Sequence, residues 1–152
     1  MHDRHWHDKT CCNLLRPIKR KKSIMKHIVE TQKTIEQAAS ALQDAVKSHS
    51  FGVLHTYDLK ETLKGKGIDL PRECRIFEIC NPKQAAAVLA EDMDLNMALP
   101  CRISVWEDEG GTVKIGMLSP KDMLAALSDS PALQKIAQDV EDTMKAIIQA
   151  AK

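Results

Sequence analysis

Aromatic side chains are scarce in this chain of 152 residues, because Phe, Trp and Tyr together make up only 3% of it. Proteins that bind single-stranded nucleic acid stack its bases on such rings, so the composition disfavours that function. No apolar run approaches the roughly 18 residues needed to cross a bilayer, and no apolar stretch typical of a secretory signal follows the first methionine. These absences predict a cytoplasmic protein without a membrane span, in which the five cysteines are reduced thiols.

Several signatures of catalysis and of metal binding are also missing. The chain has no paired carboxylates and no nucleophile elbow, which would indicate a hydrolase. The segment Lys64–Gly67 lacks the spacing of a phosphate-binding loop and is typical of a helix that glycine ends. The His- and Cys-rich start of the chain fits no zinc pattern. The sequence therefore predicts no metal site, leaves any cofactor unknown and does not decide whether the protein is an enzyme.

Charge divides the chain into two parts. Residues 1–24 carry seven Lys or Arg and two Asp, whereas residues 25–152 carry 15 basic and 19 acidic side chains. A mildly acidic body is unsuited to binding along phosphates, so we expect no nucleic acid on residues 25–152. The basic, His-rich residues 1–24 are either a disordered arm or lie upstream of a true start at Met25. In both cases we expect residues 25–152 to form a single domain.

The apolar pattern after Met25 predicts an α+β domain rather than a doubly wound sheet. Thr34 and Gln37 form a capping box before an early helix, and Ser130 precedes a long last helix with a continuous apolar face. Asp108–Gly111 is a hairpin signal between the last two strands. Short helices are expected in the connections, and the main order is β-α-β-β-β-β-α. The predicted strands are Lys26–Thr31, Phe51–Tyr57, Glu73–Cys80, Pro100–Glu107 and Thr112–Leu118.

Cys80 and Cys101 are the strongest candidates for functional residues, since each lies at the end of an apolar, strand-like run. Asn81 and Pro82 follow Cys80 and are typical of the N-cap and the first residue of a helix, here predicted over Pro82–Met93. The positive end of a helix dipole stabilises a thiolate, so we expect a lowered pKa for Cys80. Antiparallel neighbouring strands would bring the two sulfurs close together. Parallel strands would separate them by roughly 20 Å, at ~3.3 Å per residue.

Two further side chains are candidates near these thiols. Strand alternation places Glu78 on the face of Cys80, where a carboxylate would raise the pKa of the thiol and oppose its reactivity. The same alternation places His55 on one face with Phe51, Val53 and Tyr57. His55 is then either a base near a cysteine or a packed strand residue.

Five motifs occur in an order that resembles the prokaryotic Domain of Unknown Function 302 family: Phe51–Leu54, Arg75–Pro82, Leu99–Cys101, Gly110–Val113 and Pro120–Leu124. The resemblance covers about residues 25–151. It implies a TATA-binding-protein-like arrangement, in which a curved antiparallel sheet is backed by helices, and it implies a homodimer. The family supplies no established catalytic residues. Its Cys-Asn-Pro and Pro-Cys elements match Cys80, Asn81, Pro82, Pro100 and Cys101.

Two functions of different classes follow from these observations. The preferred one is a homodimeric binding module that holds a small ligand, or uses thiols, around Cys80 and Cys101, with Glu78, Asn81 and His55 as further ligand-binding residues. The alternative is a small thiol redox enzyme or sensor that uses Cys80 with Cys101 on peroxide, persulfide or a soft metal. A third interpretation treats both cysteines as small buried apolar residues.

Overall fold

The computed structural model describes residues 25–152, and the expectations for residues 1–24 lie outside this range. Eleven elements follow one another along this part of the chain and confirm the α+β class. The strands are β1 (Lys26–Thr31), β2 (Gly52–Asp58), β3 (Cys74–Cys80), β4 (Cys101–Glu107) and β5 (Val113–Leu118). The helices are α1 (Ile35–Ser48), α2 (Leu59–Lys64), α3 (Pro82–Glu91), a 3-10 helix (Met93–Ala98), α4 (Pro120–Leu127) and α5 (Pro131–Ala151).

The helices begin where the sequence supplies caps. The Thr34 hydroxyl accepts a hydrogen bond from the Gln37 N–H at 3.2 Å, and the Gln37 side chain accepts one from the Thr34 N–H at 3.0 Å, which completes the predicted capping box of α1. The helices α3, α4 and α5 each begin with proline, after the N-caps Asn81, Ser119 and Ser130. Proline suits this position because the first helical N–H has no partner within the helix.

The five strands form one sheet in the order β1-β5-β4-β3-β2, and every neighbouring pair is antiparallel. The antiparallel sheet that the family resemblance implied is thereby confirmed. Ile79 of β3 pairs with Cys101 of β4, which decides between the two arrangements considered for these strands. The hairpin between β4 and β5 closes through Asp108, whose carboxylate accepts hydrogen bonds from the N–H groups of Gly110 and Thr112.

The sheet has two faces, which we call the helix face and the open face. Strand alternation sends successive side chains to opposite faces. The helix face packs on α1 and α5 in a first hydrophobic core, and its central side chains are fully buried: Phe77, Ile79, Ile103, Val105 and Ile115. On the open face the same strands and β1 carry side chains that are half-buried or exposed: Ile28, Ile76, Ser104, Trp106 and Leu118.

A second, smaller core lies where α5 packs against α3, the 3-10 helix and α4. It consists of Val88, Leu95, Leu124, Leu133 and Ala137. Residues from the later part of α5, among them Met144 and Ile148, belong instead to the first core. The long helix therefore takes part in both cores, and the strand ends at Cys80 and Cys101 lie between them.

Two predictions about local structure were wrong. The alternation expected for the second strand fails because the pairing of β2 with β3 shifts between Val53 and His55. Val53 pairs with Ile79 on the helix face, while His55 pairs with Glu78 on the open face, so the two side chains point to opposite faces. The helix predicted over Pro82–Met93 ends at Glu91, and the chain continues as a 3-10 helix.

Candidate ligand cavity

A cavity of about 840 Å³ lies beside the strand ends, at the junction of the two cores. Side chains of both cores line it: Ile79, Met117 and Met144 belong to the first core, and Val88 and Leu124 to the second. Its volume falls within the range of about 300–1,000 Å³ that is usual for small-molecule sites. The cavity thus has the size and position of a ligand site.

The cavity continues onto the open face of the sheet, where Ile28, Ile76, Trp106 and Leu118 form an apolar floor. Gly116 lies in this floor, and it has no room for a side chain. A Cβ there would be 2.9 Å from the His27 carbonyl oxygen and 3.1 Å from the Trp106 ring. The absent side chain allows the Trp106 ring to lie across β5.

The structure brings Cys80 and Cys101 to this cavity, but on opposite faces of the sheet. Cys101 pairs with Ile79 and packs against the first core, so Cys80, one residue further along, projects to the open face. Burial raises the pKa of the Cys101 thiol to about 11, with a smaller contribution from the neighbouring Cys80. At neutral pH Cys101 is therefore an uncharged thiol, which is a poor nucleophile and an ordinary apolar lining group.

Asn81 lines the cavity as well, although its side chain is already engaged in the fold. Its carbonyl oxygen accepts hydrogen bonds from the N–H groups of Lys83 and Gln84 at 3.0 and 3.1 Å, and its amide nitrogen donates to the Ser50 carbonyl at 3.3 Å. These bonds fix the first turn of α3 at the wall of the cavity. Asn81 therefore positions the wall, and its hydrogen-bonding groups have partners without a ligand.

Glu78 and His55 lie on the open face, paired across β3 and β2. Glu78 receives a hydrogen bond from the Arg102 guanidinium at 3.0 Å, and only 14% of its side chain is exposed. The exposed His55 packs edge-on against the Tyr57 ring, with the ring centres 4.4 Å apart. Arg102 belongs to the cavity wall, whereas Glu78 and His55 do not line it.

Gln84 is a lining residue that sequence reasoning missed. Its side-chain oxygen is buried and has no hydrogen-bond partner among residues 25–152. Gln84 lies in the first turn of an alanine-rich helix, and the sequence does not indicate the direction of its side chain. Only the structure shows that Gln84 lines the cavity and that its side-chain oxygen is buried.

Within residues 25–152, no three His, Cys, Asp or Glu side chains are grouped so that they could hold a metal ion. The same part of the chain contains no helix that is long and apolar enough to span a bilayer. The described cavity is lined mainly by apolar side chains, together with three thiols and the charged side chains of Lys26 and Arg102.

Comparison with known proteins gives a family and a related structure. The family model described as "Domain of unknown function DUF302" matches residues 27–151. The crystal structure of an uncharacterised conserved DUF302 protein from Bacillus stearothermophilus is similar to this chain, with a TM-score of 0.79 and 33% sequence identity. The match covers 86% of this chain and 100% of that protein. A search of curated proteins found no match. This chain belongs to the DUF302 family.

Proposed function

We propose that this protein binds a small, mainly apolar molecule in the cavity between the strand ends and α3. The observation that supports this function is the cavity itself, about 840 Å³ and lined by both cores. Removing apolar ligand surface from water favours binding by roughly 25 cal/mol per Å². Cys80, Asn81 and Cys101 line this cavity, which supports these three residues as its ligand-binding site.

The neutral state of Cys101 supports binding over thiol chemistry. A thiol that attacks must be ionised, and burial raises the pKa of Cys101 to about 11, which argues against Cys101 as the attacking group of a redox pair. Alkylation by iodoacetamide, read by mass spectrometry at each cysteine, tests this alternative. We expect Cys101 to be labelled only after unfolding. Fast labelling of Cys80 in the folded protein at pH 7 would favour the redox enzyme or sensor instead.

N-Phenyl-1-naphthylamine, an uncharged dye that fluoresces in apolar surroundings, is a suitable probe of the cavity. We expect a saturable rise in fluorescence with the full-length protein. Ala85→Phe fills the cavity from α3, whereas the adjacent Ala86 is exposed and does not line it, so Ala86→Phe is the matched control. Ala85→Phe should weaken binding at least tenfold, and Ala86→Phe should leave it unchanged.

Thermal unfolding of both variants shows whether the fold has survived. The proposal fails if the wild-type protein shows no saturable binding. It also fails if a folded Ala85→Phe protein binds the dye as well as the Ala86→Phe protein does.

The homodimer and the cytoplasmic location also belong to this proposal. Exposed apolar side chains on the open face, Ile28 and Leu118 among them, support association through this face. The free thiols of Cys74, Cys80 and Cys101 suit a reducing compartment. Sedimentation equilibrium should give a dimer for the wild type and a monomer for Ile28→Lys. The control Leu127→Lys, at an exposed residue of α4, should remain dimeric.

A further inference from the structure

Lys26 and Arg102 are the charged side chains in the wall of the cavity. Both are cations, and no Asp or Glu among residues 25–152 belongs to the wall. The same residues 25–152 carry 15 basic and 19 acidic side chains, so their overall charge has the opposite sign. The positive charge of the wall therefore does not follow from the composition of the domain.

The strand register brings these two cations to the same part of the open face. Lys26 of β1 pairs with Leu118 of β5, and Ser104 of β4 pairs with Gly116 of β5. Arg102 and Leu118 are each two residues from this second pair, so they lie beside it on the same face. Since β5 lies between β1 and β4, Lys26 and Arg102 are on either side of Leu118, on strands roughly 10 Å apart.

Both cations are accessible to a ligand. Lys26 is exposed, and so is 63% of the Arg102 side chain. Arg102 donates to Glu78 through Nη2 at 3.0 Å. A guanidinium has five N–H donors, so this pair leaves donors for a second acceptor. Because the two cations are in contact with water, an anion can bind beside them without the large cost of entering an apolar interior.

Apolar side chains adjoin the two cations on both sides. Towards the helices, the wall contains the buried Val88 and Met144, and on the open face Ile76 and Trp106 belong to the apolar floor. A hydrocarbon chain in the cavity is removed from water, which favours binding. A head group beside Lys26 stays hydrated. The arrangement thus matches a molecule with an apolar chain and one anionic end.

We propose that the ligand is a single-chain amphiphile with an anionic head group such as a carboxylate, and that Lys26 and Arg102 bind this head group while the chain lies in the cavity. This inference rests on the proposed binding function and adds the charge of the ligand. A neutral ligand of the same shape keeps the apolar contacts and lacks the attraction of the two cations. It therefore binds more weakly than the anion.

The test compares decanoate with decanamide, which has the same chain length and is uncharged. Each displaces N-phenyl-1-naphthylamine from the full-length protein at neutral pH, and each Kd is corrected for the affinity of that variant for the dye. We expect the wild type to prefer decanoate by about tenfold at low salt. At about 0.5 M salt the preference should fall to about threefold or less, because salt screens exposed charges.

Variants of Lys26 test the contact with the head group. Lys26→Glu reverses one of the two charges and should abolish the preference for decanoate, whereas Lys26→Arg should retain it. The matched control is Lys135→Glu, at an exposed residue of α5 that does not line the cavity. It changes the net charge by the same amount and should keep the wild-type preference. Thermal unfolding shows whether each variant is folded.

The outcomes separate this inference from the function on which it rests. If the wild type binds the dye but binds decanamide at least as tightly as decanoate, the anionic class is wrong and the binding function stands. The role of Lys26 is wrong if the preference survives in folded Lys26→Glu, or if Lys135→Glu loses it equally. A wild-type preference that does not change with salt also overturns the ionic contact, without the need for a variant. If the wild type binds neither the dye nor either competitor, the binding function itself is wrong.

Discussion

The two faces of the sheet are built from the same strands and have opposite character. On the helix face, Phe77 and Ile103 are fully buried under α1 and α5. On the open face, the preceding residue of β3, Ile76, is only half-buried, and Ile28 of β1 is 46% exposed. One face is closed by the chain itself, and the other has apolar side chains that its own helices leave uncovered.

Charge also distinguishes the two faces. The open face has ion pairs around its apolar floor, such as Glu78 with Arg102 and Lys114 with Asp108, the latter at 2.8 Å. The helix side has one buried carboxylate, Glu141 of α5, among the residues described. A purely solvated face would carry polar side chains at most positions. The apolar floor within a charged border is instead typical of a surface that binds something.

The largest expected difference in the free energy of unfolding is between alanine variants of two adjacent residues of β3, one on each face. Phe77→Ala removes a fully buried ring from the first core and should lower the free energy of unfolding by about 4 kcal/mol. Ile76→Ala removes a half-buried side chain from the open face and should cost about 1 kcal/mol. Urea denaturation measures both values. Equal losses would mean that the open face is packed as tightly as the helix face.

Gly116 offers a test of how closely the open face is packed around Trp106. Gly116→Ala would place a Cβ 2.9 Å from the His27 carbonyl oxygen, so strands must shift, and we expect a loss of about 2 kcal/mol. Gly52→Ala is the control, because its nearest neighbour, the Cys80 carbonyl oxygen, lies at 3.9 Å. The control should change stability by less than about 0.5 kcal/mol. If Gly116→Ala is as stable as the wild type, the packing of the Trp106 ring against β5 does not require glycine at this position.

The smallest expected difference in stability is between variants of two carboxylates, the buried Glu141 and Glu78 on the open face. Burial would raise the pKa of Glu141. Lys145, the Ser119 hydroxyl and the Lys121 N–H lower it by more, so its pKa lies below the ordinary value of 4.5. The stability that this ionised group contributes is complete above pH 4.5 and is lost as the pH falls through the lowered pKa. We expect Glu141→Gln to cost about 1.5 kcal/mol at pH 7.

The matched variant is Glu78→Gln, whose partner Arg102 is largely exposed, and it should cost less than about 1 kcal/mol. Thermal unfolding between pH 3 and pH 7 measures both effects. The difference between the wild type and Glu141→Gln should shrink below pH 4.5. A difference that is constant over this range would show that the charge of Glu141 has no part in its contribution.

Features that depend on neighbouring residues could be predicted from the sequence. The capping box at Thr34, the hairpin at Asp108 and the start of α3 after Asn81 each follow from local hydrogen bonds, and all three are present. The shift in pairing between Val53 and His55 could not be predicted, because a bulge depends on the partner strand.

The candidate site was predicted only in part, for the same reason. Apolar runs that end at Cys80 and Cys101 indicated the correct strand ends, and both residues line the cavity. The two side chains lie on opposite faces because of the register in which β3 pairs with β4. The sequence of one strand does not specify its register with another. Gln84 depends on the packing of α3 against these strand ends, and no local pattern marks its buried oxygen.

The 21 residues of α5 extend over about 31 Å, at 1.5 Å per residue, and take part in both cores. At the end of α5 the Lys33 ammonium donates to the carbonyls of Ala151 and Lys152, both at 2.8 Å. Amide hydrogens in the middle of this helix can exchange with solvent only when both cores open, so their exchange should report global unfolding. Amides of α3 and the 3-10 helix, which belong to the second core alone, should exchange through a smaller opening. Amide hydrogens of α5 should therefore exchange slowly, and those of α3 and the 3-10 helix, beside the cavity, should exchange faster.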